Sequence, residues 1–136
     1  MAFLWYKLKE MKTGAIPDEI KCKMLLEENS GWQATIKLHA GEIPKWKNRL
    51  LTDGIDTNKS EGVLYMQLFK QQAQMTKLED ELVKQQQRLE QNCVLQHEDD
   101  IESFCMQDIL RDRIKEIEKA YVELKCNFLN YVSNIS

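Results

Sequence analysis

From Val63 to Ser136 the chain contains no glycine and no proline; all five glycines and both prolines lie at or before Gly62. These two residues interrupt regular structure most reliably, one by leaving the backbone too free, the other by removing an N–H donor and fixing φ. A long stretch without them, rich in Gln, Glu, Lys and Leu, predicts uninterrupted helix. One helix of about 70 residues would reach roughly 105 Å at 1.5 Å per residue. A domain this small cannot cover such a rod, so the helix must double back on itself or lie against another chain.

The 136 residues amount to one domain or less. With 43% hydrophobic and 30% charged residues, the composition tilts toward helices with one buried stripe and a wide wetted surface. The net charge of −3 comes from 19 basic and 22 acidic side chains. No large excess of cation is gathered to neutralise a phosphate backbone. Cys22, Cys93, Cys105 and Cys126 form no C-x-x-C pair and no zinc spacing. A chain this helical does not need staples, which predicts free thiols in a reducing compartment, those on the long helices buried as small apolar residues. The apolar opening Met1–Tyr6 runs straight into Lys7, Lys9 and Glu10 and lacks the apolar core of a signal peptide. No apolar run approaches the length of a membrane span. A cytoplasmic or nuclear location is the expectation.

Residues 1–56 read as a region of short helices that carries every tryptophan. Leu4, Leu8 and Met11 mark one short helix ending before Gly14. Pro17-Asp18-Glu19 starts another, and Asn29-Ser30-Gly31 reads as its stop. Trp32 to Ala40 alternates apolar and polar residues as a half-buried strand does. Trp32, Ile36, Ala40 and Ile43 also make one helical stripe, with only Leu38 off it. No second strand is available nearby, which favours helix. Pro44 marks a further start, with Trp46, Leu50 and Leu51 on one side, and Gly54 ends it. Asp53 to Lys59 reads as a loop.

Residues 57–96 form a long Gln-rich helix. Leu68, Met75, Leu82 and Leu89 recur every seven residues, while Leu64 and Leu78 share the second column with Gln71, Gln85 and Asn92. Polar residues in such a seam cost stability but select register and partner. Residues 97–136 form a second long helix whose seam is clean: Leu110, Ile114, Ile117, Tyr121, Leu124, Phe128, Tyr131 and Ile135 follow steps of four and three. Aromatic side chains at three of these places suit a bundle wider than a two-stranded coil. The pattern fails near Gln96–Asp100, where Asp99 or Asp100 is placed to cap a helix beginning at Ile101. A turn within 93–100 would lay the two helices side by side; continuous helix would leave a rod. The fold class is therefore all-α: short N-terminal helices, then two long helices forming an antiparallel αα-hairpin or coiled coil, or part of a helical bundle.

Nothing pairs a nucleophile with a base, cradles a phosphate or gathers metal ligands at a known spacing. His97 with Glu98, Asp99, Asp100 and Glu102 lacks the alternating oxygens and glycine of an EF-hand loop. No enzyme, cofactor or metal is expected. The favoured reading is a non-enzymatic interaction subunit, a scaffold or adaptor in a cytoskeletal, chromosome-segregation or trafficking type of assembly. It would bind protein partners, as a homo- or hetero-oligomer, through Leu64, Leu68, Met75, Leu78, Leu82, Leu89, Leu110, Ile114, Ile117, Tyr121, Leu124, Phe128 and Tyr131, with Trp32 and Trp46. Met66, Phe69, Val83 and Val122 lie off the seams and leave more apolar surface than one hairpin covers. The alternative is a nucleic-acid-associated accessory factor using Lys45-Trp46-Lys47-Asn48-Arg49, three cations around an aromatic ring. Interspersed acids weaken that reading. A bundle enclosing a small molecule or metal is weaker still.

Overall fold

A computed structural model describes residues 18–56, 59–95 and 101–135. They form three α-helices: α1 (Asp18–Thr52), α2 (Ser60–Leu95) and α3 (Ile101–Ile135). The expected series of short N-terminal helices is replaced, over the described residues, by one helix of 35 residues, matched to α2 at 36 and α3 at 35. Each is about 52 Å long at 1.5 Å per residue. The helix proposed around Leu4, Leu8 and Met11 lies outside the described residues, as does His97.

α1 runs through the stop read at Asn29-Ser30-Gly31 and through the fresh start read at Pro44. Leu25, Asn29, Trp32, Ile36, His39, Ile43, Trp46 and Leu50 follow steps of four and three without a break. Leu25, Ile36, Ile43 and Leu50 are at most 3% exposed. Burying a Leu or Ile contributes about 1.5–3 kcal/mol. A glycine inside a helix costs about 1 kcal/mol and an interior proline about 3. Packing along the whole stripe therefore outweighs the interruptions at Gly31, Gly41 and Pro44. The strand alternation from Trp32 to Ala40 is helical stripe, and Leu38, its one misfit, is 67% exposed.

α1 does stop where Gly54 stops it. Gly54 has φ of 78°, the left-handed conformation a residue with a Cβ rarely adopts. Its N–H donates to the Leu51 carbonyl at 3.2 Å, and the Asp53 N–H to that of Arg49 at 3.0 Å. Ile55 follows and packs against the core, the apolar contact that commonly accompanies this kind of helix end.

The direction of the helices follows from which side chains meet. Asn29 bonds to Leu82, 53 residues on, whereas Lys47 bonds to Gln72, 25 residues on; the separation shrinks along α1, so α2 returns antiparallel. Gln71 meets Ile117 across 46 residues and Gln85 meets Gln107 across 22, so α3 is antiparallel to α2. Between α1 and α3 the separation stays between 78 and 83 from Glu28 to Asp53, as parallel helices require. The result is an up-down-up three-helix bundle. α2 ends at Leu95 and α3 begins at Ile101, the start anticipated from the acidic cap; the residues between lie outside the described ones.

The core is one continuous cluster running the length of the bundle, from Trp32 and Ile36 through Leu68, Met75 and Leu82 to Leu110, Tyr121 and Phe128. Two expectations about cysteine fail. Cys22 is disulfide-bonded, which removes the all-thiol premise of the redox argument for a reducing compartment. Cys105 and Cys126 are free but exposed, because they lie off the buried heptad positions of α3. No helix among the described residues is long and apolar enough to cross a membrane.

Candidate functional site

Three features beyond the apolar core carry the chemistry of this molecule: a polar layer inside the bundle, an aromatic tier further along it, and apolar side chains left on its outer face.

The polar layer lies where the N-terminal half of α1 meets the C-terminal half of α2 and the start of α3. Arg111 on α3 and Glu28 on α1 have side chains only 8% exposed and form a two-pronged ion pair: Nη2 donates to Oε1, and Nε donates to Oε2 at 3.3 Å. Arg111 Nη1 also donates to Asp108 at 2.8 Å, and its guanidinium lies 5.6 Å from the Trp32 ring centroid. The pair is tied into a relay. Gln85 Nε2 on α2 donates to Gln107 Oε1 at 3.1 Å, and Gln107 Nε2 donates to Glu28 Oε1 at 2.9 Å. All three helices are thereby joined by side chains that are nearly water-free.

Side-chain amides also read the backbone of neighbouring helices. Asn29 donates to the Leu82 carbonyl, Gln71 to that of Ile117 and Gln85 to that of Ser103, each at 3.0 Å. A helical carbonyl already accepts one bond from the i+4 N–H and has a second lone pair free for such a donor. Sliding one helix by a residue would leave a buried amide unpaired, at a cost of about 1–3 kcal/mol each. These are the register-setting contacts that Gln71 and Gln85 were expected to make; Asn92 does the same through the Ser103 hydroxyl at 3.0 Å. Glu28, Asn29, Gln107 and Arg111 were missed. A signal existed for two of them: stepping back from Leu110 by three reaches Gln107, and from Trp32 by three reaches Asn29. Both are seam positions, passed over because the residues are polar.

The aromatic tier is built on Tyr121. His39 stacks on its ring at 3.8 Å between centroids and 5° between planes, and Trp46 stacks at 5.6 Å. Trp46 reaches on to Phe128 at 5.4 Å. The Tyr121 hydroxyl donates to the Glu42 carboxylate. Burial, then the hydrogen bond and charge of Glu42, push the Tyr121 pKa well above its ordinary 10.0. His39 Nδ1 is buried without a hydrogen-bond partner. At the adjacent end Tyr131 donates to Asp53 at 2.9 Å, and that bond together with Arg49 holds the Asp53 carboxyl below its usual range.

The basic segment around Trp46 is largely engaged within the chain. Trp46 packs on the core, Lys47 donates to Gln72 at 2.9 Å and lies 4.8 Å from the Phe69 ring centroid, and Arg49 pairs with Asp53. Among the described residues no three His, Cys, Asp or Glu side chains are gathered as metal ligands.

Of the residues expected to bind a partner, Leu64, Leu68, Met75, Leu78, Leu82, Leu89, Leu110, Ile114, Ile117, Tyr121, Leu124, Phe128 and Trp32 are buried within this one chain, and Tyr131 and Trp46 are half-buried against it. The off-seam residues behave differently. Val63 is 57% exposed, Met66 62% and Phe69 55%, three apolar side chains one turn apart along the outside of α2. Val83 and Val122 are likewise exposed.

No family model matches this chain, and no curated protein or solved structure matches it either. The class is therefore defined by the fold alone: a three-helix bundle with a polar layer in its core.

Proposed function

We propose that this protein is a non-enzymatic interaction module, a helical bundle that serves as scaffold or adaptor in a larger protein assembly. The supporting observation is the exposed apolar strip Val63, Met66 and Phe69 on α2. The core is filled by the seams without these side chains, although the Lys47 ammonium lies over the Phe69 ring. Contiguous apolar surface on a small protein marks a place where another macromolecule docks. An amphipathic helix laid along α2 would bury it as helix-in-groove partners do.

The test is to replace Met66→Asp and Phe69→Asp together, then measure mass by light scattering over a concentration series and identify cross-linked neighbours from cells. The expected outcome is an unchanged melting curve with loss of oligomer or of specific neighbours. If mass and neighbours are the same as for the native chain, this surface is not the interface and the reading is wrong.

A further inference from the structure

At the end of the bundle where α2 begins and α3 finishes, the two helices line a groove of about 500 Å³. It is lined by Ser60, Glu61, Val63, Leu64 and Gln67 on α2 and Asn127, Asn130, Tyr131 and Asn134 on α3. Two things set it apart. The α3 wall is a ladder of amides at helical spacing, donors and acceptors without charge. Among the described residues the only formal charge in the lining is the Glu61 carboxylate, and its Oε2 is buried with no hydrogen-bond partner. A carboxylate oxygen removed from water without a donor is costly, and structures rarely leave one so. Among the described residues no Lys, Arg or His lines the groove to supply that donor. The carboxylates of Glu61 and Asp53 both act on the Tyr131 hydroxyl, so this end carries a local negative field that Arg49 only partly offsets.

We infer that this groove receives a basic side chain, arginine or lysine, from a partner polypeptide, with its cation on Glu61, its alkyl stem over Val63 and Leu64, and its backbone hydrogen-bonded by Asn127 and Asn130. The missing donor is a cation's N–H, Val63 and Leu64 give a long stem apolar lining to lie on, and side-chain amides can pair with both the N–H and C=O groups of a peptide backbone. Val63 belongs to both the groove and the exposed strip of α2, so a partner lying on the strip would place its basic residue here. The inference rests on the interaction-module reading and names the chemistry of the partner.

The experiment is an amide NMR titration of the full chain. The probes are an acetylated, amidated alanine pentapeptide with a central arginine, the same peptide with neutral citrulline, and spermidine as a free amine. The expected result is saturable shifts confined to the side-chain amides of Gln67, Asn127, Asn130 and Asn134. Citrulline, or Glu61→Gln in the protein, should weaken binding about tenfold, the scale of one partly buried charge-assisted contact. The citrulline comparison needs no variant and so stands even if Glu61→Gln perturbs folding. Equal binding of the citrulline peptide, shifts elsewhere, or no saturation overturns the proposal. Spermidine saturating the groove while the peptide does not overturns its assignment to a polypeptide. A silent groove with an assembly still lost in the Met66→Asp, Phe69→Asp chain defeats this inference alone; failure of both defeats the module reading as well.

Discussion

Glu28 and Arg111 show how much a single pair decides in a bundle of this size. Neither is exposed enough for water to compensate for a missing partner. Removing one side of a buried, hydrogen-bonded ion pair typically costs about 3–5 kcal/mol, because the survivor stays buried and unpaired. Glu28→Ala should therefore lower stability by about that amount in chemical denaturation. Replacing both residues by leucine should recover much of the loss, a non-additivity that a double-mutant cycle would measure. Tyr121 offers a second test at this scale. Its folded pKa is raised, so the folded state holds that proton more tightly than the unfolded chain does. The stabilisation is complete below the ordinary value of 10.0 and declines as pH rises beyond it, because the unfolded chain then ionises first. Urea midpoints should fall between pH 9 and pH 11, and Tyr121→Phe should flatten that slope.

At the scale of the element, α1 is the instructive helix. Glycine and proline are reliable punctuation only when nothing outside the segment opposes them. Here a stripe of eight positions, six of them buried, runs beneath the breakers, and Trp32, Ile36 and Ile43 are held by the facing helices. The exposed side of α1 retains the local cost. Gly41 is exposed, and nothing lies within 4 Å of the place a Cβ would occupy. Gly41→Ala should stabilise the protein by about 0.5–1 kcal/mol, seen as a rise in melting temperature. The seams of α2 and α3 were readable directly from their spacing, including the amides Gln71 and Gln85. The polar continuation through Ser103 and Gln107 keeps the same steps of four and three, but a seam recognised by its apolar members begins only at Leu110.

For the whole molecule, the decisive fact is that three helices of matched length cover one another. An alternation of apolar residues in two helices leaves open whether they meet within a chain or between chains; a third helix of the same length lets the seams close within one. Ile117, 8% exposed, sits in that shared core. Ile117→Asp should unfold the chain, with a loss of about 4 kcal/mol or more and collapse of the helical circular dichroism signal. If it instead leaves a folded protein and changes only its mass, the seam is an interface between molecules. By contrast, substitutions at Met66 and Phe69 should leave the fold untouched.

The helical class, the seams of α2 and α3, the side chains left off those seams and the helix ending at Gly54 are all determined by local chemistry: spacing at 3.6 residues per turn, and the conformational freedom of a glycine. These properties belong to segments of ten or twenty residues and need no knowledge of the rest of the chain. The unity of α1, the burial of Glu28 with Arg111, the stacking of His39 on Tyr121 and the groove beside Glu61 depend on residues brought together from 25 to 83 positions apart or across two helix ends. Only the tertiary structure decides them, because the energy that holds each one comes from a neighbour that the local sequence does not contain.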